Sequence, residues 1–196
     1  EFSDEADKIN SLLKVKSQKS LKELMNISEK LAELNWQRNQ AFNDNKTKSR
    51  AAVYAFNGDV YSGLDAYSFS KGQINTMQNQ LLILSGLYGV LKPLDIIKPY
   101  RLEMGTPLKI DSSKNLYDFW KNKITERLNS MLLEDELLVN LASKEYFDVI
   151  DSKRLKSQVF SPVFKDLKNG QFKIISFFAK KARGMMARHL IEKKAT

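Results

Sequence analysis

The stretch ILSGLYGVLKPLDIIKPYRLEMG, residues 83–105, concentrates backbone-special and charged residues in one short window. It holds three of the eight glycines and two of the four prolines of the chain. Its charged side chains are Lys92, Asp95, Lys98, Arg101 and Glu103. Because an ordinary core segment does not need glycine, proline and charge together, we expect binding or chemistry in this window.

The chain around the paired glycines has two interpretations. Apolar residues recur at helical steps over residues 70–84, which predicts a helix leading into the window. Gly86 and Gly89 permit positive φ or a close backbone approach, so we expect residues 85–99 to form a shaped loop between helices. Such a loop can direct amides at a phosphate, as in a helix-hairpin-helix element that holds the DNA backbone. The alternative is a tight turn packed into the core.

Helical and strand patterns interleave along the rest of the chain. The other predicted elements are two helices within residues 1–42, a strand at 51–56, a helix at 117–133, a strand at 137–141, a helix at 143–149, strands at 159–165 and 172–178 joined by an Asn-Gly turn, and a basic helix at 180–194. Ser20 is predicted to cap the second N-terminal helix. The order predicts one domain over residues 1–196 with an α/β fold, or an α+β fold, in which helices flank a mixed sheet.

Composition excludes several kinds of site. The 196 residues include no cysteine and a single histidine, His189. Disulfides and thiolate metal sites are therefore excluded, and a Ser-His-Asp triad is nearly excluded. We expect no metal and no cofactor. The apolar runs are short and no signal segment stands at the start, so we expect a soluble, cytoplasmic protein without membrane contact. No pattern identifies a protein partner.

A formal net charge of +9 makes nucleic acid the first partner to consider and an anionic membrane surface the second. Solubility alone is the simpler explanation. The densest cations lie in SFFAKKARGMMARHLIE, residues 176–192. Convergence of this basic helix with Lys92 and Arg101 would create a groove for a polyanion, whereas a solvated basic face is the alternative. Gly184 inside the helix costs about 1 kcal/mol relative to alanine, which indicates close packing or ligand approach.

Carboxylates offer a second kind of chemistry. Arg101 and Glu103 flank Leu102, so they could form an ion pair or present a guanidinium fork to phosphate. Asp59, Asp95, Glu103 and Glu145 could form a cluster for acid–base catalysis or for a divalent cation. Each of the four taken alone is more typical of a cap or a surface charge.

Five blocks of sequence resemble one protein family. They are, in chain order, FNGDVYSGLDA, LSGLYGVLKPLDIIKPYRLEMG, LYDFWKNKIT, NLASKEYF and KIISFFAKKARGMMARHLIE. Over residues 24–192 the chain resembles the bacterial YaaA family of peroxide-stress proteins. The resemblance implies a cytoplasmic DNA-binding protein with an unusual α/β fold and a helix-hairpin-helix element. It also implies a role in limiting intracellular iron and oxidative DNA damage during hydrogen peroxide stress.

The family pattern and the charge argument together give ten candidate residues for binding DNA or phosphate. These are Gly86, Tyr88, Gly89, Lys92, Lys98, Arg101, Lys180, Lys181, Arg183 and Arg188. The chain departs from the family at Asn57, where lysine is common, and at Lys92, where arginine is common. We also expect the family's N-terminal strand and the tail after the basic helix to be absent.

Two functional hypotheses follow. The first is a protein that binds duplex DNA through its phosphates, with low sequence specificity. The alternative is an enzyme acting on nucleotides or nucleic acid, in which the four carboxylates surround a pocket while Arg101 and Lys180 hold a phosphate. A weaker third option is direct iron binding, for which the chain offers mainly oxygen ligands.

Overall fold

A computed structural model describes residues 2–133 and 135–194. The helices within them are α1 (Ser3–Lys14), α2 (Gln18–Met25), α3 (Glu29–Gln40), α4 (Ala52–Ala55), α5 (Asp59–Leu64), α6 (Lys71–Gln80), α7 (Leu116–Met131), α8 (Lys144–Phe147) and α9 (Ser176–Lys193). None of the helices in this part of the chain is long and apolar enough to cross a membrane.

The strands are short and pair in twos. Antiparallel pairs join β1 (Arg50–Ala51) to β4 (Ile96–Ile97), β2 (Ile83–Ser85) to β3 (Gly89–Leu91) and β7 (Asp166–Lys168) to β8 (Gln171–Lys173), while β5 (Leu137–Val139) runs parallel to β6 (Gln158–Phe160). The predicted mixture of helices and strands is confirmed. Within the described residues the strands form several small sheets instead of one mixed sheet.

The N-terminal part contains three helices where the sequence predicted two. Ser17 is the cap of α2, because its Oγ accepts the N–H of Ser20 at 3.1 Å, so the predicted cap at Ser20 is wrong. Asn26, at φ 50°, ends α2 in the left-handed conformation. Ser28 then caps α3. The long apolar pattern is therefore interrupted at a residue that tolerates positive φ.

Residues 83–91 of the glycine- and proline-containing window form a strand pair. Ser70 caps α6 as predicted, but the helix ends at Gln80. The next residues form β2, which pairs with β3 and continues the chain toward β4. The predicted loop between helices is therefore wrong. The next helix in residues 2–133 begins at Leu116, so the structure does not show a helix-hairpin-helix element at this turn.

Strand predictions in two other parts of the chain also differ from the structure. Residues 52–55 form α4 instead of a strand, and the amides of Ala52 and Val53 donate to carbonyls at residues 95 and 93 at 2.8 and 2.9 Å. Farther along, the predicted Asn-Gly turn is confirmed, since Asn169 and Gly170 have φ values of 54° and 75° between β7 and β8. The strands differ from those predicted at 159–165 and 172–178. The first prediction overlaps β6, which pairs with β5, whereas the strand before the turn is β7. The strand after the turn, β8, ends at Lys173, and α9 begins at Ser176.

Residues 83–91 lie between two hydrophobic clusters. Leu87 and Val90 contribute to the first cluster, with buried residues of α1, α2 and α7. Ile83 and Leu91 contribute to the second, with α4, α5, α6 and α9. A three-residue strand alone is unstable, so burial on both sides explains why this segment is a strand.

Helices α5 and α9 are in backbone contact. A Cβ built on Gly184 would lie 1.9 Å from the carbonyl oxygen of Val60, and one on Gly63 would lie 2.2 Å from that of Lys181. Glycine is therefore required at both positions for the two helices to approach this closely. Of the two explanations for Gly184, the structure shows close packing.

Candidate functional site

An open cleft of about 360 Å³ lies where α3, the end of α4 and the chain after β4 meet. We call it the arginine cleft. Its walls comprise Leu31, Asn35, Arg38, Ala55, Phe56, Asn57, Ile97, Lys98, Pro99, Tyr100 and Arg101. The sequence predicted Lys98 and Arg101 as binding residues and singled out Asn57 as a departure from the family. The cleft brings these three together.

Arg101 is the central cation of the cleft. One Nη donates to Glu103, so the ion pair, one of the two arrangements that the sequence allowed, is present. The Nε is buried and has no hydrogen-bond partner among the described residues. A buried guanidinium N–H without an acceptor is unfavourable unless an anion or water satisfies it. The Arg101 side chain is 40% exposed, and this exposed part is what an anion in the cleft can reach.

Arg38 is a second cation of the cleft, and it was not predicted from the sequence. It lies on α3, and its Nη1 donates to Oδ1 of Asn35 at 3.3 Å. Burial lowers the pKa of Arg38 below its usual value, although an arginine keeps its charge at neutral pH. Asn35 is itself buried and also donates to the carbonyl of Leu31, so it orients Arg38. In the sequence this pair is indistinguishable from an ordinary polar helix face.

Lys98 lines the cleft, but its charge is already engaged. The Nζ donates to the carbonyl of Phe42 and lies 5.1 Å from the centroid of that ring. Its backbone N–H donates to the hydroxyl of Tyr88 at 3.1 Å. Lys98 therefore fastens the segment after β4 to the end of α3, and its charge still adds to the potential of the cleft.

The glycine turn is packed, which is the second of its two interpretations. The amides of Leu87 and Tyr88 donate to Oγ of Ser85 at 3.2 and 2.8 Å. A Cβ on Gly86 would lie 2.4 Å from the carbonyl oxygen of Leu102, and one on Gly89 would lie 2.8 Å from the ring of Trp120. Both glycines thus permit close packing, and the Leu87 and Tyr88 amides make internal bonds.

A chain of aromatic rings connects the cleft to this turn. Phe56 stacks on Tyr61 at 5.4 Å and meets Tyr100 edge-on at 6.0 Å. Tyr100 in turn contacts Tyr88, and its hydroxyl bonds to Ser85 at 2.6 Å. Burial raises the pKa of Tyr100 well above its usual value, so its hydroxyl stays protonated. The floor of the cleft is therefore rigid and neutral.

Two of the four predicted carboxylates contact the segment 101–105. Burial, followed by the charges of Glu145 and Glu103, raises the pKa of Tyr146 to about 12, and Arg101 acts in the opposite direction. Glu145 also accepts the N–H of Gly105 at 3.0 Å. Glu103 is thus held by its ion pair with Arg101, and Glu145 is held by the amide of Gly105 in the same segment.

The other two predicted carboxylates occupy different places. Asp95 accepts the N–H of Lys92 at 2.8 Å and so closes the turn between β3 and β4. Asp59 is the first residue of α5. Within residues 2–133 and 135–194, no group of three or more His, Asp or Glu is placed to hold a metal ion.

The cations of α9 divide into two groups. Arg188 is structural, because its Nη1 donates to the carbonyls of Leu64 and Asp65 at 3.1 Å each and to Ser68 at 2.8 Å. Lys180 and Lys181 are exposed, and Arg183 is partly buried. Among the described residues the arginine cleft has no α9 residue in its walls. Lys181 instead lines a second depression, of about 410 Å³, with the β7 segment.

Comparison with known proteins gives one family. A sequence model of the family described as "Peroxide stress protein YaaA" matches residues 1–196. A UPF0246 protein of Flavobacterium johnsoniae is 54% identical over 196 residues, which cover 99% of this chain and 78% of the relative. UPF0246 proteins of a Marinomonas species and of Idiomarina loihiensis are 52% and 53% identical, and the matches cover 99% and 97% of this chain and 75% and 76% of those proteins.

Proposed function

Since the chain belongs to the peroxide stress protein YaaA family, we propose that it binds duplex DNA through the phosphate backbone, with low sequence specificity, as part of the response to hydrogen peroxide. By occupying DNA it helps to limit iron-linked oxidative damage. The family assignment confirms the resemblance drawn from the sequence blocks, and the DNA-binding step is our inference.

Convergence of Arg38 and Arg101 is the observation that carries the proposal. The two residues come from segments about sixty positions apart and line the same open cleft. Among the described residues, Arg101 forms an ion pair only with Glu103, and its buried Nε has no acceptor. Guanidinium groups with spare donors bind phosphate in a fork, which suits a DNA backbone.

The net charge and the exposed lysines of α9 add attraction for DNA outside the cleft. A charge of +9 attracts DNA at long range whatever its sequence. Lys180 and Lys181 are exposed at the start of α9, where they offer further phosphate contacts. Because every contact in this proposal is made to phosphate, the affinity should vary little with base sequence.

The proposal is tested by titrating a short labelled duplex at salt concentrations from about 50 to 200 mM and following anisotropy. Affinity should fall steeply with salt, and each removed phosphate contact should reduce the logarithmic slope by about 1. The variant combines Arg38→Gln with Arg101→Gln. Arg154→Gln is the control, since Arg154 is an exposed arginine paired with Glu126 on α7.

Three results would overturn the proposal: no binding at low salt, binding that ignores salt, or equal affinities for the cleft variant and the control. The link to damage is tested by exposing plasmid to ferrous iron and hydrogen peroxide. We expect fewer strand breaks with the unaltered protein than with the cleft variant. Equal protection by both would refute a role for DNA occupancy.

An enzyme acting on nucleotides is a second candidate, favoured by the contacts of Glu103 with Arg101 and of Glu145 with the Gly105 amide in the same segment. A guanidinium that holds phosphate beside two carboxylates is an arrangement compatible with phosphate chemistry. Incubation with nucleotides and DNA in the presence of Mg²⁺ tests this candidate. Product formation that Glu145→Gln abolishes would support the enzyme, and intact substrate in all samples would exclude that activity.

A further inference from the structure

We propose that the arginine cleft receives one nucleotide unit, displaced from the base stack of the DNA, while the flanking duplex lies across its rim. This inference rests on the proposed function and names the part of the DNA that enters the site. Its first support is size. The cleft holds about 360 Å³, near the lower end of the range of small-molecule sites, about 300 to 1,000 Å³. A double helix, whose major groove alone is about 12 Å wide, cannot enter it.

The second support is an aromatic ring in the cleft wall. Phe56 is half-buried, and its ring is fixed by the stacked ring of Tyr61 at an interplanar angle of 21° and by the edge-on ring of Tyr100. A rigid aromatic side chain in an open cleft is a platform for a base, because every base presents a flat π-face. Pure backbone binding has no need of such a ring.

The third support is the placement of polar groups around that ring. Arg38 and Arg101 line the cleft, so they can hold the phosphate of a unit whose base stacks on Phe56. The Arg101 side chain is 40% exposed, so a phosphate in the cleft can reach its guanidinium group. Asn57 is exposed in the same wall and carries an amide that can donate to and accept from a base edge.

A free mononucleotide has the same chemistry as the displaced unit, so the experiment includes both sources. The probes are a duplex with one unpaired 2-aminopurine, the same duplex with 2-aminopurine paired to thymine, and 2-aminopurine nucleoside monophosphate. Anisotropy of a second label reports affinity, and 2-aminopurine fluorescence reports stacking. We expect the unpaired duplex to bind about tenfold more tightly than the paired duplex, which corresponds to the low end of one base–aromatic stack.

The variant Phe56→Leu should erase that tenfold preference together with the fluorescence change. Phe172→Leu is the matched control, since Phe172 is an exposed phenylalanine on β8, outside the cleft. If Phe56→Leu does not fold, Asn57→Ala, a change at an exposed position, serves instead. It should reduce the preference for the unpaired duplex at least threefold, which corresponds to the loss of about one hydrogen bond.

The outcomes separate this inference from the proposed function. If the paired and unpaired duplexes bind with equal affinity, and Phe56→Leu changes neither affinity, the nucleotide site is overturned and duplex binding still stands. Binding of the free monophosphate without binding of either duplex would overturn both the DNA function and the displaced unit. Preference for the unpaired duplex, lost in Phe56→Leu and kept in Phe172→Leu, would support the inference.

Discussion

Replacing Gly184 by alanine tests how α9 is held against α5. The added Cβ would lie 1.9 Å from the carbonyl oxygen of Val60 and 2.8 Å from the amide nitrogen of Leu64. Both atoms belong to the backbone, so no side chain can rotate away. The helices must separate by about 1.5 Å, the difference between 1.9 Å and the 3.4 Å at which ordinary contact begins.

The expected net effect is a loss of about 2 kcal/mol in the free energy of unfolding. Overpacking of this kind costs about 3 kcal/mol at the upper end of its usual range. The better helix propensity of alanine offsets about 1 kcal/mol of that cost. For a chain of this size, the melting temperature should fall by about 4–8 °C.

Urea unfolding of Gly184→Ala beside Gly72→Ala provides the measurement. Gly72 lies on α6, and the nearest atom to its built Cβ is Oγ of Ser70 at 4.0 Å, so alanine fits there. Gly72→Ala should stabilise the protein by about 0.5–1 kcal/mol. The reasoning fails if Gly184→Ala is as stable as the unaltered protein, or if both alanines shift stability in the same direction.

Three further predictions concern the turn at Ser85, the hydroxyl of Tyr146 and the cations of α9. Ser85→Ala removes the acceptor of two amides and the partner of a buried hydroxyl, so urea unfolding should show a loss of about 2–4 kcal/mol. Burial raises the pKa of Tyr146 to about 12, so above about pH 10 the unfolded chain loses this proton while the folded chain keeps it. Between about pH 10 and pH 12, Tyr146 should therefore lower the free energy of unfolding by about 1.4 kcal/mol for each unit of rising pH. Tyr146→Phe should remove this contribution to the pH dependence. Arg188→Lys should lower stability by about 1–3 kcal/mol in thermal unfolding, because a lysine cannot bond all the carbonyls at the end of α5. Lys181→Ala, by contrast, should weaken DNA binding and change stability by less than about 0.5 kcal/mol.

Most elements governed by local chemistry were predictable. The helix from Leu116 follows from its apolar spacing, and Ser70 caps α6 through a capping box with Gln73. The turn at Asn169 and Gly170 follows from the tolerance of these residues for positive φ. In each case the deciding interaction lies within a few residues of the chain.

The candidate site was only half predictable. Arg101 and Lys98 stood out because they lie in an unusual window. Arg38 did not, because its surroundings are set by an approach of α3 to a segment about sixty residues away. Arg188 looked like part of a basic face, yet its guanidinium donates to the carbonyls of Leu64 and Asp65 at the end of α5. A cation's partner across the fold cannot be read from its neighbours in the sequence.

By itself, the sequence determined the family, the mixed composition of helices and strands and the excess of positive charge. The tertiary structure alone decided that this window is a strand pair between two hydrophobic clusters and that its glycines serve close packing. It also decided which cations share the arginine cleft. The reason is physical: propensity and capping act over one or two turns, whereas burial and ion pairing depend on distances that only the folded chain defines.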